Sequence, residues 1–338
     1  MDGLYGCLLF TTAKREVLRM ATIATVKDPP IRTLMAVSSS NKGNSGEKIP
    51  RRKPVYPISA ERELARAMLP VSVIIRKKSK PYLQRMMAVY DAWAQENVRT
   101  DARISMTDAI GMILDEYADD IQSGIDDIAL DEKIYRTAKY ARGISIRDWK
   151  ALVDDALDLN IDEPFYEETM EDLINKWTYE SSNLIKSYPD EYKRKVQEII
   201  TWGFTTKQPM VNVYRRLEKA TGDTSSHVRM IARDQMGTLN YQMTRREHES
   251  MGVSEYIWIT KRDARVRDCH RALHGHKFSW NNPPAQWYTT KSKGIVYTGQ
   301  YCHPGQAYQC RCRAQPVFQE KMVDSIVSQQ RVRRKQRG

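Results

Sequence analysis

Apolar residues recur every three or four positions along most of the stretch from Ser59 to Thr221, the period of helices that bury one face. Leu83, Met86, Met87, Tyr90 and Trp93 make one such stripe, and Ile110, Ile113, Leu114, Tyr117 and Ile121 make another. A longer one runs through Phe165, Met170, Leu173, Ile174, Trp177, Leu184 and Ile185. It stops at "SYPDE", where Pro189 lacks a backbone donor. Val196, Ile199 and Ile200, then Val213, Tyr214 and Leu217, complete the set, with "TGD" at 221–223 as a stop. The aromatic residues in these stripes read as core. A further helix is expected from the candidate caps Ser225 and Ser226 to about Ser250, ended by Met251 and Gly252.

The period then changes. "EYIWIT" at 255–260 alternates as a strand does, and "GIVYT" at 294–298 and "RAQPVF" at 313–318 suit further strands. Glycines and prolines punctuate the loops between them. The pattern predicts an α+β fold: a mostly helical N-terminal domain over 59–223, followed by a small loop-rich α+β module over 224–320. Residues 36–55 are rich in Ser, Gly, Asn, Lys and Pro and cannot bury enough apolar surface to offset chain entropy. They place a flexible basic arm over 1–58, and "QQRVRRKQRG" marks a basic tail over 321–338.

Composition fits a soluble globular protein: 41% of the 338 residues are hydrophobic and 28% charged. No apolar run is long enough for a membrane span, and Asp2 stands where a signal peptide needs basic residues. Charge changes the picture more. Residues 115–172 hold 18 acidic and 6 basic side chains, while the net charge of the whole chain is +12. The rest is therefore strongly basic, which suits a polyanion such as DNA, and the acidic segment suits either a solvated face or a basic partner.

Four of the five cysteines, Cys269, Cys302, Cys310 and Cys312, lie in the last third with His270, His274, His276 and His303. Five cysteines in this length make no disulfide scaffold, so a Cys302 bridge to Cys310 or Cys312 is disfavoured. In an extended chain the two thiols of Cys310-x-Cys312 face the same way, as shared metal ligation requires. His270 and His303 are the candidates to complete a structural zinc site with them, with Cys269, Cys302 and His276 as substitutes. Packed, reduced thiols without metal are the competing reading. Asp263, Asp268, His270, Asn282 and His303 could in principle assemble a metal-dependent nuclease centre, but no phosphate-cradling loop, nucleophile elbow or metalloprotease helix is present.

One stretch carries more than its composition. Ile231, Ala232, Arg233 and Asn240 on the helix are followed by Gly252, Val253, Trp258 and Thr260. Then come Asp263, Arg265, Val266, Arg267, His270, Leu273 and Gly275, and finally Cys310, Arg311 and Cys312. In order and spacing these resemble the minor head protein family of tailed phages typified by protein F of phage Mu. The resemblance implies a virion protein of head morphogenesis, inside the head near the portal and assembled in the host cytoplasm. It implies no enzyme activity, a portal, major capsid or scaffold protein as partner, and a role in packaging or delivering viral DNA. The alternative is a nuclease or toxin-like effector carried in the virion.

Overall fold

Two prolines, Pro70 and Pro81, sit inside the longest helix among the described residues, α1 (Ile58–Gln95), where each removes a backbone hydrogen bond. The helix persists because its apolar stripe runs on past both of them. Leu64, Met68, Val71, Ile75 and Met86 are all fully buried, so tertiary packing outweighs local propensity. The computed structural model describes residues 46–95, 100–161, 167–320 and 322. The described residues fall within one compact unit.

Among the described residues six more long helices follow α1: α2 (Thr100–Asp126), α3 (Leu130–Leu157), α4 (Glu167–Lys186), α5 (Tyr188–Thr205), α6 (Met210–Gly222) and α7 (Thr224–Ser250). α1 packs against α2, α3, α6 and α7, and α4 closes over α3 and α7. Every residue of the 110–121 stripe is buried, as are Met170, Leu173, Ile174, Trp177 and Ile185 of the longer one. Phe165 lies outside the described residues. No helix among the described residues is long and apolar enough to cross a membrane.

After α7 the chain forms β2 (Glu255–Ile259), the short α8 (Asp268–Leu273), β3 (Lys277–Ser279), β4 (Ala285–Thr290), β5 (Gly294–Tyr301) and β6 (Arg313–Gln319). β6 pairs antiparallel with β2, from Glu255 opposite Val317 to Ile259 opposite Arg313. With β3 and the two-residue β1 (Glu47–Lys48) they make a four-stranded sheet of order β1-β6-β2-β3. β4 and β5 form a separate ribbon. The α+β class stands, with the helices first and small antiparallel sheets after them.

Three expectations need correction. Residues 46–58 are no loose arm: β1 pairs with Phe318 and Gln319, and the Val55 N–H donates to Asp148 Oδ2 at 2.7 Å. The Arg52 N–H donates to Asp155 Oδ2 at 2.8 Å. Composition misleads here because the segment borrows partners from a sheet edge and from α3. Residues 1–45 and 323–338, the rest of the arm and most of the tail, lie outside the described residues. Second, α7 starts at Thr224 without a side-chain cap, since α6 runs to Gly222 immediately before it. Third, no seam falls at 223/224, because Val228, Ile231, Met236, Leu239 and Met243 of α7 belong to the same core as α1–α6.

The acidic segment is also less bare than its composition suggests. Asp120 pairs with Lys78, Asp115 with Lys193 and Asp131 with Lys186. Such exposed pairs contribute little individually.

Candidate metal centre and its supports

α8 is under two turns long, and its position is set from both ends. Before it, Asp263 Oδ1 accepts the Arg265 N–H at 3.1 Å and closes a turn. Arg267 then donates to the Tyr308 carbonyl at 2.6 Å. After it, Gly275 takes a φ of +84°, open to glycine at little cost, and its N–H donates to the Trp258 carbonyl at 2.8 Å. Leu273 is buried against the Tyr256 and Trp258 cluster. The result presents His270, 2% exposed, to the interior.

The loop from 302 to 312 brings Cys310 and Cys312 to the same point. His270 Nδ1 lies 3.6 Å from each sulfur. On its other side His270 Nε2 lies 2.7 Å from Gln286 Oε1. The Gln286 amide N–H donates to the Pro284 carbonyl at 3.3 Å, which turns its oxygen toward the imidazole. The proton therefore sits on Nε2, and the Nδ1 lone pair faces the thiols. The Cys312 N–H reaches Cys310 Sγ at 3.3 Å. The hydrogen bond from the Cys312 thiol holds the Cys310 thiol well below the usual range. The same contact, with burial, pushes Cys312 up.

Arg311, between the two cysteines, points the other way. Its Nε donates to Glu61 Oε2 on α1 at 2.8 Å, and Nη2 reaches Oε1 of the same carboxylate. Arg233 of α7 lies 3.7 Å from Glu61 as well, and the Tyr56 hydroxyl donates to it at 2.9 Å. Arg233 also donates to Gln309 Oε1, and Asp234 accepts the Gln309 N–H. The Cys-Arg-Cys run is thus fastened on two faces, thiols to His270 and guanidinium to Glu61.

Gly237 explains itself at this crossing. A Cβ there would meet the Cys310 carbonyl oxygen at 2.7 Å, closer than real contacts allow. Gly237→Ala is therefore expected to lower stability by about 1–2 kcal/mol, overpacking outweighing alanine's helix preference of up to about 1 kcal/mol. Urea unfolding measures it. Unchanged or raised stability would mean that the Cys310 peptide moves aside freely.

His303 is not part of the cluster, which corrects the four-ligand set. Its Nδ1 is 2.8 Å from the Tyr256 hydroxyl, and its ring lies against Tyr241 and Trp280. Burial holds its pKa down to about 4. Of the substitutes, Cys269 faces Gln286 Oε1 at 3.8 Å, and neither Cys302 nor His276 joins His270, Cys310 and Cys312. All four described cysteines are free thiols. Nor do the residues of the nuclease reading converge: Asp268 pairs with Arg271 on its own helix, Asp263 closes its turn, and His303 is enclosed by aromatic rings. Gln286 and Glu61 had no signal in the sequence, since Glu61 lies 250 positions from Arg311.

Residues 193–315 match the family described as Phage Mu protein F like protein. An uncharacterized protein of Haemophilus influenzae (strain ATCC 51907 / DSM 11121 / KW20 / Rd) is 31% identical over 161 residues, 46% of this chain and 33% of that protein. The chain thus spans about a third of that relative's length. No solved structure matches. The family match opens inside α5, well before the motif residues, and takes in α6, α7 and the cysteine loop. Over residues 193–315 the chain is similar to the family of phage Mu protein F like proteins.

Proposed function

We propose that the chain acts in phage head morphogenesis as a structural component of the virion, seated inside the head near the portal and contacting DNA, and that it is no enzyme. The observation that carries the reading is where the family motif residues point. His270, Cys310 and Cys312 are buried, while Arg233 and Arg311 tie the module to α1 through Glu61. These residues build and fasten a scaffold; they do not line an open reactive cleft. Portal, capsid or scaffold protein is the expected protein partner.

The DNA contact is assigned to the ribbon. β4 and β5 leave Tyr288, Ile295, Tyr297 and Tyr301 exposed, and Lys291 and Lys293 are exposed at the turn. From Cys269 to Gln319 there is no Asp or Glu, so nothing acidic within this stretch opposes a phosphate backbone. A two-stranded ribbon also fits the width of a DNA major groove. Affinity for duplex DNA is expected to fall steeply with NaCl, and Lys291→Glu/Lys293→Glu to weaken it and reduce the log–log salt slope by about 2. A variant that binds as tightly as the parent sinks the ribbon assignment. A virion reconstruction with the chain outside the head sinks the location. Metal-dependent plasmid nicking that His270→Ala abolishes sinks the non-catalytic reading.

A further inference from the structure

We infer that His270 Nδ1, Cys310 Sγ and Cys312 Sγ are three protein donors to one thiophilic divalent cation, zinc in the cell, and that Gln286 is the residue that presets the histidine. The inference is independent of the role in the phage head.

The spacing is the first argument. Zinc bonds sulfur at about 2.3 Å and imidazole nitrogen at about 2.0–2.1 Å, and tetrahedral angles then place N and S about 3.6 Å apart. Both N···S separations in the cluster are 3.6 Å. Two of the three donor separations thus match the edges of a zinc tetrahedron, and all three donor atoms lie within 4.8 Å of one another.

Tautomer is the second argument. A ligating histidine donates its remote N–H to a carbonyl or carboxylate, which fixes the ring and raises its basicity. Gln286 supplies that acceptor at 2.7 Å and is itself oriented by Pro284. Both sulfurs lie within hydrogen-bonding reach of the Nδ1 lone pair, and once the thiols lose their protons the same arrangement suits a cation between them. The N–H of Cys312 directed at Cys310 Sγ supports a thiolate in the same way.

Donor chemistry sets the class of ion. Two thiolates and an imidazole suit zinc and exclude calcium and magnesium, which take oxygen. Among the described residues no fourth His, Cys, Asp or Glu joins the group, which leaves the last vertex to a donor outside that set. The cation would join the closing strand to α8. Through Gln286, whose carbonyl accepts the Thr298 hydroxyl at 3.0 Å, it would also hold the base of the ribbon.

The test uses the full chain. Elemental analysis of protein purified without added chelator is expected to give about one zinc per chain. Cobalt exchanged into the site should give the intense visible bands of a tetrahedral thiolate complex. X-ray absorption should fit two sulfur and two nitrogen or oxygen neighbours. A folded chain that carries no zinc and takes up no cobalt overturns the proposal, and a shell of three or four sulfurs overturns the donor set. Donor substitutions can unfold the module, so Gln286→Leu provides the second reading, with an expected 10–100-fold loss of zinc affinity. His303→Gln should leave zinc content unchanged. Loss of zinc in His303→Gln, with the fold intact, or unchanged affinity in Gln286→Leu, counts against the assignment.

Discussion

Glu61→Ala is expected to cost the folded protein about 3 kcal/mol, the lower end of what breaking a buried ion pair takes. Glu61 carries three partners: Arg311 through two contacts, Arg233, and the Tyr56 hydroxyl. Removing the carboxylate leaves the Arg311 guanidinium, 14% exposed, against α1 with no counter-charge. Arg233 keeps more of its surface in water, which holds the loss toward the lower end. Glu61→Gln should recover part of the loss, since an amide oxygen still accepts one guanidinium bond. Chemical unfolding followed by tryptophan fluorescence reads both variants. A loss under about 1 kcal/mol for Glu61→Ala would mean that the pair behaves as a surface contact.

That carboxylate also shows where the sequence stops being legible. The helices were readable because each buries a stripe whose period is local: Ile110, Ile113, Leu114, Tyr117 and Ile121 announce α2 without reference to anything outside it. β2 was readable through its alternation, whereas β6, expected over 313–318, is buried along nearly its whole length and shows none. β4 was not readable, because its exposed and covered positions do not alternate, whereas its partner β5 was expected over 294–298. β1 and β3, at two and three residues, are too short to carry a period. In the site, the shared face of Cys310 and Cys312 follows from chain geometry. The choice between His270 and His303 does not, since both are histidines in loop-rich sequence. The tertiary surroundings decide it: one imidazole meets two sulfurs and an amide, the other a tyrosine hydroxyl and aromatic rings. Gln286 and Glu61 act across long sequence separations, and only the folded chain brings them to their partners.

The second large effect lies at the other buried charge pair. Arg142 of α3 donates to Glu247 Oε1 of α7 at 2.7 Å, and Ser145 donates to the same oxygen at 2.7 Å. The two charged side chains are 3% and 5% exposed. Burial pushes the Glu247 carboxyl up to about 7, against the pull of Arg142 and Ser145. A group raised in the folded state contributes its stability fully below its unfolded value, about 4.3 for a glutamate, and loses it as pH rises through the folded one. Arg142→Met removes the largest influence lowering that pKa, so the folded value rises further and the variant falls behind the parent as pH increases. The expected deficit is about 3–5 kcal/mol near pH 8 and smaller near pH 5, where the carboxyl can take a proton. Arg142→Met/Glu247→Leu buries no charge and is expected to return to within about 1 kcal/mol of the parent at both values. Unfolding curves at the two pH values separate the causes. If the double variant is as unstable as the single one, the loss comes from packing between α3 and α7 and not from the stranded carboxylate.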